Sequence, residues 1–370
     1  MLINSSFTSL TFPRALKRAE VFPHPKDGDH EVPDNNRPIS LLPVLSKVTG
    51  KNALRYHNDY LTRNNKLTQH KSGNRKFHST ESLSLLVTDD IFKAIDQKKL
   101  TAMVLTKCYH NPMCKQHLGT SRETLKWFEI YLTDCQQSTR VGISLSHPLT
   151  VTHGVPQGSI LGPMLFNLYM NDLPSVVKFS CVESYFDHTK IYLSFWAKDL
   201  DTCMIQVIED LRNIASWCCT NSLLINPRKT KFIFFGVRQL VPKVADIHIS
   251  FLSQELVPKP YVTDFGILLD SNLSFNEHTA SLVSTLLGTL CRINKIKHLF
   301  SRSAFIIILN SLVFSKLFYC STVWADTSKQ NIIKLQLLQN FVARILTNKE
   351  NMITFLLLYV SSGGSLSKII

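Results

Sequence analysis

The stretch YFDHTKIYLSF, Tyr185 to Phe195, is compatible with very few folds. A Tyr-x-Asp turn lies between two runs of β-forming residues, which predicts a hairpin with Asp187 at its tip. An amphipathic helix follows between Asp199 and Cys219, with Ile205, Ile208, Leu211, Ile214 and Ala215 on one side. KFIFFG, 231–236, then reads as a strand. Strand, turn, strand, helix, strand is the split βαβ arrangement.

The rest of the chain is organised around that unit. Residues 1–35, which include PHPKDGDHEVPDNN, are rich in Pro, charge and turn residues and predict a surface loop or linker. RPISLLPVLSKV from Arg37 is apolar, with Pro38 and Pro43 limiting helix at its start. HSTESLSLLVTDDIFKAID, 78–96, predicts a helix capped by Ser79 or Thr80, with Leu83, Leu86, Val87, Ile91 and Ile95 at helical spacing. LTAMVL, 100–105, predicts a buried strand, and TKCYHNPMCKQH, 106–117, has no period at all. LGTSRETLKWFEIYL reads as a second capped helix, and QQSTRVGISLSHPLTVTHG, 136–154, alternates like a hairpin. After Phe275 the character is helical, with three-to-four spacing in LVSTLLGTLCRINKIKHLF and NIIKLQLLQNFVARILTN. The tail NMITFLLLYVSSGGSLSKII matches no neighbouring pattern.

Lys plus Arg is 41 against 27 for Asp plus Glu, a formal net charge of +14 spread along the chain. Distributed basicity on a folded protein points to a polyanionic partner, usually nucleic acid. A generally basic protein without such a partner is the plainer alternative. Nine cysteines are scattered without Cys-x-x-Cys pairs, so no zinc site is expected. MLINSSFTSLTFPRALKRAE lacks the order of a signal peptide. The longest apolar run, from Ala304, carries Asn310, Ser311, Ser315 and Lys316 and predicts a buried helix rather than a membrane span. An intracellular setting, cytoplasmic or nuclear, is the expectation; oligomeric state is left open.

A hairpin-tip aspartate can do chemistry. Nucleotidyl transfer by two divalent metals needs clustered carboxylates, because Mg²⁺ prefers hard oxygen ligands. Asp187 supplies one; by itself such a turn more often uses Asp to satisfy local amides. Its surroundings are more specific. RPISLLPVLSKV, HSTESL, GVPQGSILGPMLFNLYMNDLP, YFDHTKIYLS, NSLLINPRKTKFIFFG and DFGILLDSNLSF occur in that order. This string resembles the reverse transcriptase of non-LTR (LINE-type, Jockey-like) retrotransposons over roughly residues 15–350.

The resemblance implies an α+β right-hand polymerase. Fingers would span 36–99 after the 1–35 linker, and a ferredoxin-like palm with an antiparallel sheet 100–275. A helical thumb would span 276–350, with 351–370 off pattern. It implies RNA template, DNA primer and dNTP as partners, Mg²⁺ or Mn²⁺ as cofactor, and no membrane. It places Lys26 and Arg37 at the incoming triphosphate, where a point charge and a bidentate fork suit phosphate. Gly154, Pro156, Gln157 and Gly158 fall in the motif whose backbone approaches template and nucleotide, beside Tyr185 and Phe186 of the turn. Lys229 matches the lysine that neutralises pyrophosphate, and Phe265, Gly266 and Leu268 the primer-grip hairpin. Solvated loop charge explains Lys26 equally well, and core packing explains Leu268.

Two departures matter. The family carries an aspartate at the end of the first palm strand, whereas LTAMVL leads into Thr106 and Lys107, with no acidic residue between Asp96 and Glu123. The segment before LGTSRE is also shorter than the family's. The second aspartate of the turn is His188, a poor Mg²⁺ ligand when neutral and repulsive when protonated. Losing such groups costs on the order of 10³-fold in rate. The sequence therefore predicts a partial or decayed copy whose metal binding is weak and whose chemistry is lost. A nucleic-acid-binding remnant without polymerase activity is the alternative, and a domain too damaged to fold is a third reading.

Overall fold

The computed structural model describes residues 2–26, 28–109, 122–152 and 154–347. In chain order, α1 (Leu2–Thr8) precedes β1 (Arg18–Pro25), β2 (Asn36–Leu41), α2 (Val44–Arg63), α3 (Thr80–Asp96) and β3 (Leu100–Tyr109). Next come α4 (Arg122–Leu132), β4 (Gln136–Val141), β5 (Ser144–Leu145), β6 (Leu149–Thr150) and α5 (Gly162–Tyr169). The central hairpin is β7 (Cys181–Tyr185) and β8 (His188–Phe195), followed by α6 (Leu200–Thr220), β9 (Leu224–Ile225) and β10 (Lys231–Phe235). Two small hairpins, β11 (Ile249–Phe251) with β12 (Gln254–Leu256) and β13 (Tyr261–Asp264) with β14 (Ile267–Asp270), lead to the helices. These are α7 (Asn276–Ile296), α8 (Arg302–Leu309), α9 (Ser315–Leu317), α10 (Ser321–Trp324) and α11 (Lys329–Thr347).

The chain forms two compact units. One comprises Met1–Phe77, Thr106–Lys190 and Glu209–Lys229; the other comprises His78–Leu105, Ile191–Ile208 and Thr230–Ile370. In the first, β1 pairs antiparallel with β2 and parallel with β4. The predicted loop over 1–35 is therefore incorrect: the segment holds both a helix and a strand. Ala19 and Val21 alternate inward and are buried. The prolines are accommodated because β4 pairs only as far as Val21, so Pro23 and Pro25 lie beyond it, where no ladder bond is required on that side. Buried Lys17 donates to the carbonyls of Ile130 (2.6 Å) and Thr133 (2.8 Å), placing a cation at the C-terminus of α4. Phe12, Trp127, Phe128, Tyr131, Leu161 and Met164 make the core of this unit.

In the second unit, β3 lies between β10 and β8, with Phe232, Ile233, Phe234 and Phe235 buried along β10. Helix α3 begins as predicted: Ser79 Oγ accepts from the Ser82 amide (3.0 Å) and Ser82 Oγ from the Ser79 amide (2.8 Å), a reciprocal cap. Leu83, Val87, Ile91 and Ala94 form its buried stripe, while Leu86 falls off it and is exposed. The helical face expected of α6 also shifts. Ile205 is exposed, and Cys203, Val207, Leu211, Ile214 and Cys218 are buried. The run from Ala304 is not a single buried helix. Phe305, Leu309, Val313 and Leu317 are buried, Ile307 and Leu312 are exposed, and Asn310–Phe314 is wound as a π-turn. Among the described residues no helix is long and apolar enough to cross a membrane. The predicted strand 100–105 continues to Tyr109; the remainder of the segment 106–117, and the tail 351–370, lie outside the described residues.

Candidate active site

The β7–β8 hairpin is supported from its edge. The Ser184 amide donates to the His70 carbonyl (2.9 Å) and the Ser72 amide to the Ser184 carbonyl (3.0 Å), so residues 70–72 act as a short extra strand. The next residue, Gly73, packs against the turn: a Cβ there would lie 2.7 Å from the Phe186 amide nitrogen. Phe186 takes a left-handed φ of +52°, and its ring meets Tyr185 edge-on at 5.1 Å. The Asn167 side-chain amide donates to the Gly73 carbonyl, and buried Lys71 donates to the Asn167 carbonyl (2.9 Å). Upstream of β7, fully buried Asp210 accepts from the amides of Lys178 (2.7 Å), Phe179 (3.1 Å) and Ser180 (2.8 Å).

At the tip, Asp187 faces a cation. Lys107 Nζ, from β3, lies 2.9 Å from Asp187 Oδ2 and 3.3 Å from His188 Nε2; His188 Nε2 is 3.8 Å from Asp187 Oδ1. An ammonium can only donate, so a bond from Lys107 to Nε2 requires a neutral imidazole at that nitrogen. The Asp187 and Lys107 side chains are 26% and 30% exposed, so the pair is neither bulk-solvated nor core. Just before it, Thr106 is buried and its Oγ1 has no hydrogen-bond partner among the described residues. Among the described residues, no three His, Cys, Asp or Glu side chains converge to hold a metal ion. The donor set does not fit a pair of divalent ions: among the described residues Asp187 is the carboxylate at the tip, and an ammonium already compensates its charge.

The other predicted residues fall into two groups. Around Asp187's own unit, the turn Pro227–Lys229 is tied to β3 by the Asn226 amide, which donates to the Lys107 carbonyl (3.0 Å). Lys229, on that turn, is exposed. Lys26 and Arg37 are exposed at the same end of the β1–β2 ladder, where Pro25 pairs with Asn36 and His24 with Arg37. The loop Gly154–Pro156–Gln157–Gly158 lies against β2, with the Ser40 amide donating to the Gln157 carbonyl (2.7 Å). Gly154 and Gly158 have φ of +85° and +112°, and a Cβ on Gly158 would lie 2.7 Å from the Ser40 carbonyl oxygen. The Gln157 side chain is exposed. In the second unit, Phe265 (φ +44°) and Gly266 (φ +84°) form the β13–β14 turn. The Tyr319 hydroxyl donates to the Phe265 carbonyl (2.9 Å), and the Leu268 amide donates to His278 Nδ1 (3.3 Å).

Lys107, Gly73 and Asp210 were not singled out by the sequence. The Gly73-Asn74 pair was a readable turn signal; nothing local marks the other two.

A family described as reverse transcriptase (RNA-dependent DNA polymerase) matches residues 24–284. A probable RNA-directed DNA polymerase from transposon BS of Drosophila melanogaster is 28% identical over 375 residues, covering 94% of this chain and 40% of that protein. The corresponding protein of the X-element is 26% identical over 344 residues, covering 86% and 36%. That of the mobile element jockey of Drosophila funebris is 23% identical over 374 residues, covering 92% and 38%. The chain thus spans well under half the length of these relatives. Among solved structures, apo telomerase of Candida tropicalis aligns with a TM-score of 0.43 at 10% identity, covering 69% of this chain and 54% of that one.

Proposed function

The chain belongs to the reverse transcriptase (RNA-dependent DNA polymerase) family, and from that premise we propose that this domain of retrotransposon origin keeps a nucleic-acid surface without polymerase chemistry. Its ligands on this reading are an RNA template and a DNA primer. The exposed lysines and arginines, in a chain of net charge +14, supply sequence-independent contacts to phosphate. Lys26 and Arg37, together at one end of the β1–β2 ladder, are the proposed contacts to a dNTP triphosphate. Gly154, Pro156, Gln157 and Gly158 with Tyr185 and Phe186 are the proposed template and nucleotide surface. Phe265, Gly266 and Leu268 are the proposed primer grip, and Lys229 the residue that would face pyrophosphate.

The observation that carries the loss of chemistry is the 2.9 Å contact between Lys107 Nζ and Asp187 Oδ2. Family members use divalent metal ions, Mg²⁺ or Mn²⁺ on this proposal, and these require anionic oxygens in excess of local positive charge. Here a fixed ammonium stands against the single carboxylate, and His188 adds a nitrogen donor that hard cations disfavour.

Primer extension on an RNA template, in Mg²⁺ and then in Mn²⁺, tests this. Extension is expected below about one-thousandth of that of an active relative, as the loss of two electrostatic groups implies. Robust extension by the unmodified chain would overturn the reading. The double substitution Lys107→Asp with His188→Asp is expected to create measurable Mn²⁺ binding by calorimetry where the parent shows none.

A further inference from the structure

A cavity of about 710 Å³ in the second unit is lined by Lys98, Trp196, Lys198 and Gln239 among others. It gathers three chain segments: the link from α3 to β3, the C-terminal end of β8, and the segment after β10. Trp196 is 46% exposed, whereas Trp127, Trp217 and Trp324 are each 9% exposed or less. Leaving one indole in water while burying the rest forgoes apolar burial at that position. One side of its ring is taken by Lys99, whose Nζ lies 5.2 Å from the ring centroid.

The cations around the ring are displayed rather than neutralised. Lys98, Lys198 and Arg238 are exposed and form no ion pair among the described residues; Asp96, Asp199 and Asp201 are the nearby acidic residues in sequence. Lys98 has a left-handed φ of +58°, at the position after α3 where glycine is the usual residue. Its amide donates to the Ile95 carbonyl (2.8 Å) and that of Lys99 to the Ala94 carbonyl (2.9 Å), closing the helix. A lysine there is strained where glycine would not be. The Asp199 amide donates to the Trp196 carbonyl (2.8 Å), a turn that holds Lys198 beside the ring.

We propose that this cluster is a separate binding subsite for single-stranded nucleic acid. A base stacks on Trp196, Lys98 and Lys198 contact the flanking phosphates, and the Gln239 amide reaches the base edge. Arg238, between two lining residues, extends the positive rim. An acidic peptide would satisfy the lysines but not the indole; alternating phosphates and flat bases satisfy both. The subsite is distinct from the Asp187 turn and does not depend on whether polymerase chemistry survives.

The test is titration of the full chain with oligouridylate while following tryptophan fluorescence. Only Trp196 is solvent-accessible enough to report stacking directly. Quenching that reaches saturation is expected. Trp196→Phe should remove the quench, and Trp196→Ala should lower affinity for the oligonucleotide about tenfold, in line with the energy of one stacked base. Lys98→Glu with Lys198→Glu should weaken the quench-monitored affinity by a similar factor and flatten its salt dependence by about 1.4 in log–log slope. Matching thermal melts for each variant separate binding from folding, and if Trp196→Phe does not fold, the lysine pair carries the test alone. Unchanged fluorescence at saturating oligonucleotide would overturn the proposal. So would equal quenching by polyglutamate of matched charge, because the cluster would then be reading charge without bases.

Discussion

Two turns of the first unit are built on the same backbone principle and yet differ in what they have kept. In the 154–158 loop, Gly158 lets the chain approach the Ser40 carbonyl; at the β7–β8 turn, Gly73 lets residue 73 approach the Phe186 amide. Both close approaches are intact. The charges are not comparable: the loop needs none, while the turn presents Asp187 and His188 to Lys107. The difference follows from what each feature does for the folded state. A close backbone approach is part of the fold, so any side chain added there is resisted sterically. Clustered carboxylates serve only the chemistry. Without bound cations they repel one another, whereas an ammonium beside a lone carboxylate attracts it.

The largest expected effect is on the steric side. Gly158→Ala puts a Cβ 2.7 Å from the Ser40 carbonyl oxygen at a φ of +112°, so clash and backbone strain act together. A loss of roughly 3–4 kcal/mol is expected, read as a lower urea midpoint at unchanged slope. A change within about 0.5 kcal/mol, the level of an ordinary surface site, would show that the loop yields and would remove the contrast.

Next in size is a pH effect from the core that supports this loop. His57, on α2, is buried edge-on to Phe128 at 5.1 Å between ring centroids, and burial lowers its pKa from 6.5 to about 4. The unfolded chain binds a proton as pH falls below 6.5 while the folded chain does not. The stabilisation is therefore complete above pH 6.5 and is lost progressively towards pH 4. The loss amounts to roughly 3 kcal/mol over that window. Denaturation series at pH 7 and pH 5 should show about 2 kcal/mol of it, and His57→Gln should abolish that component of the slope. An identical slope in the variant would mean the ring is hydrated and the core less apolar than its packing indicates.

What the sequence revealed follows the same division. Helix α3 with its Ser79 cap, the β7–β8 hairpin, α6, β10 and the order of the motif blocks were legible because each is written in contiguous periodicity or turn chemistry. The strand β1 was hidden because its signal is only Ala19 and Val21 alternating ahead of prolines and charges, and its stability comes from β2 and β4 elsewhere in the chain. The buried face of α6 was misread at Ile205 because a helix with apolar residues on several sides does not declare which side meets a partner. At the site, Asp187 at the hairpin tip with His188 beside it could be read directly. That Lys107 reaches Asp187 could not, since it depends on β3 and the β7–β8 turn meeting across eighty residues. The Trp196 cluster was invisible for the same reason: three segments, each unremarkable alone.

The smallest expected effect is the most discriminating. Lys107→Met removes the ammonium and leaves Asp187 beside His188, at a position about one-quarter exposed. An ion pair of that exposure contributes about 0–1 kcal/mol to folding, so the midpoint should hardly move. If instead the variant lost about 3–5 kcal/mol, as breaking a buried pair does, Lys107 would be structural, and its position at Asp187 would reflect the needs of the fold rather than the lapse of a chemical requirement. A small stability change together with newly measurable Mn²⁺ binding would show that the lysine excludes the cation without holding the sheet together. That pairing of outcomes separates a turn whose charges were free to change from a loop whose backbone was not.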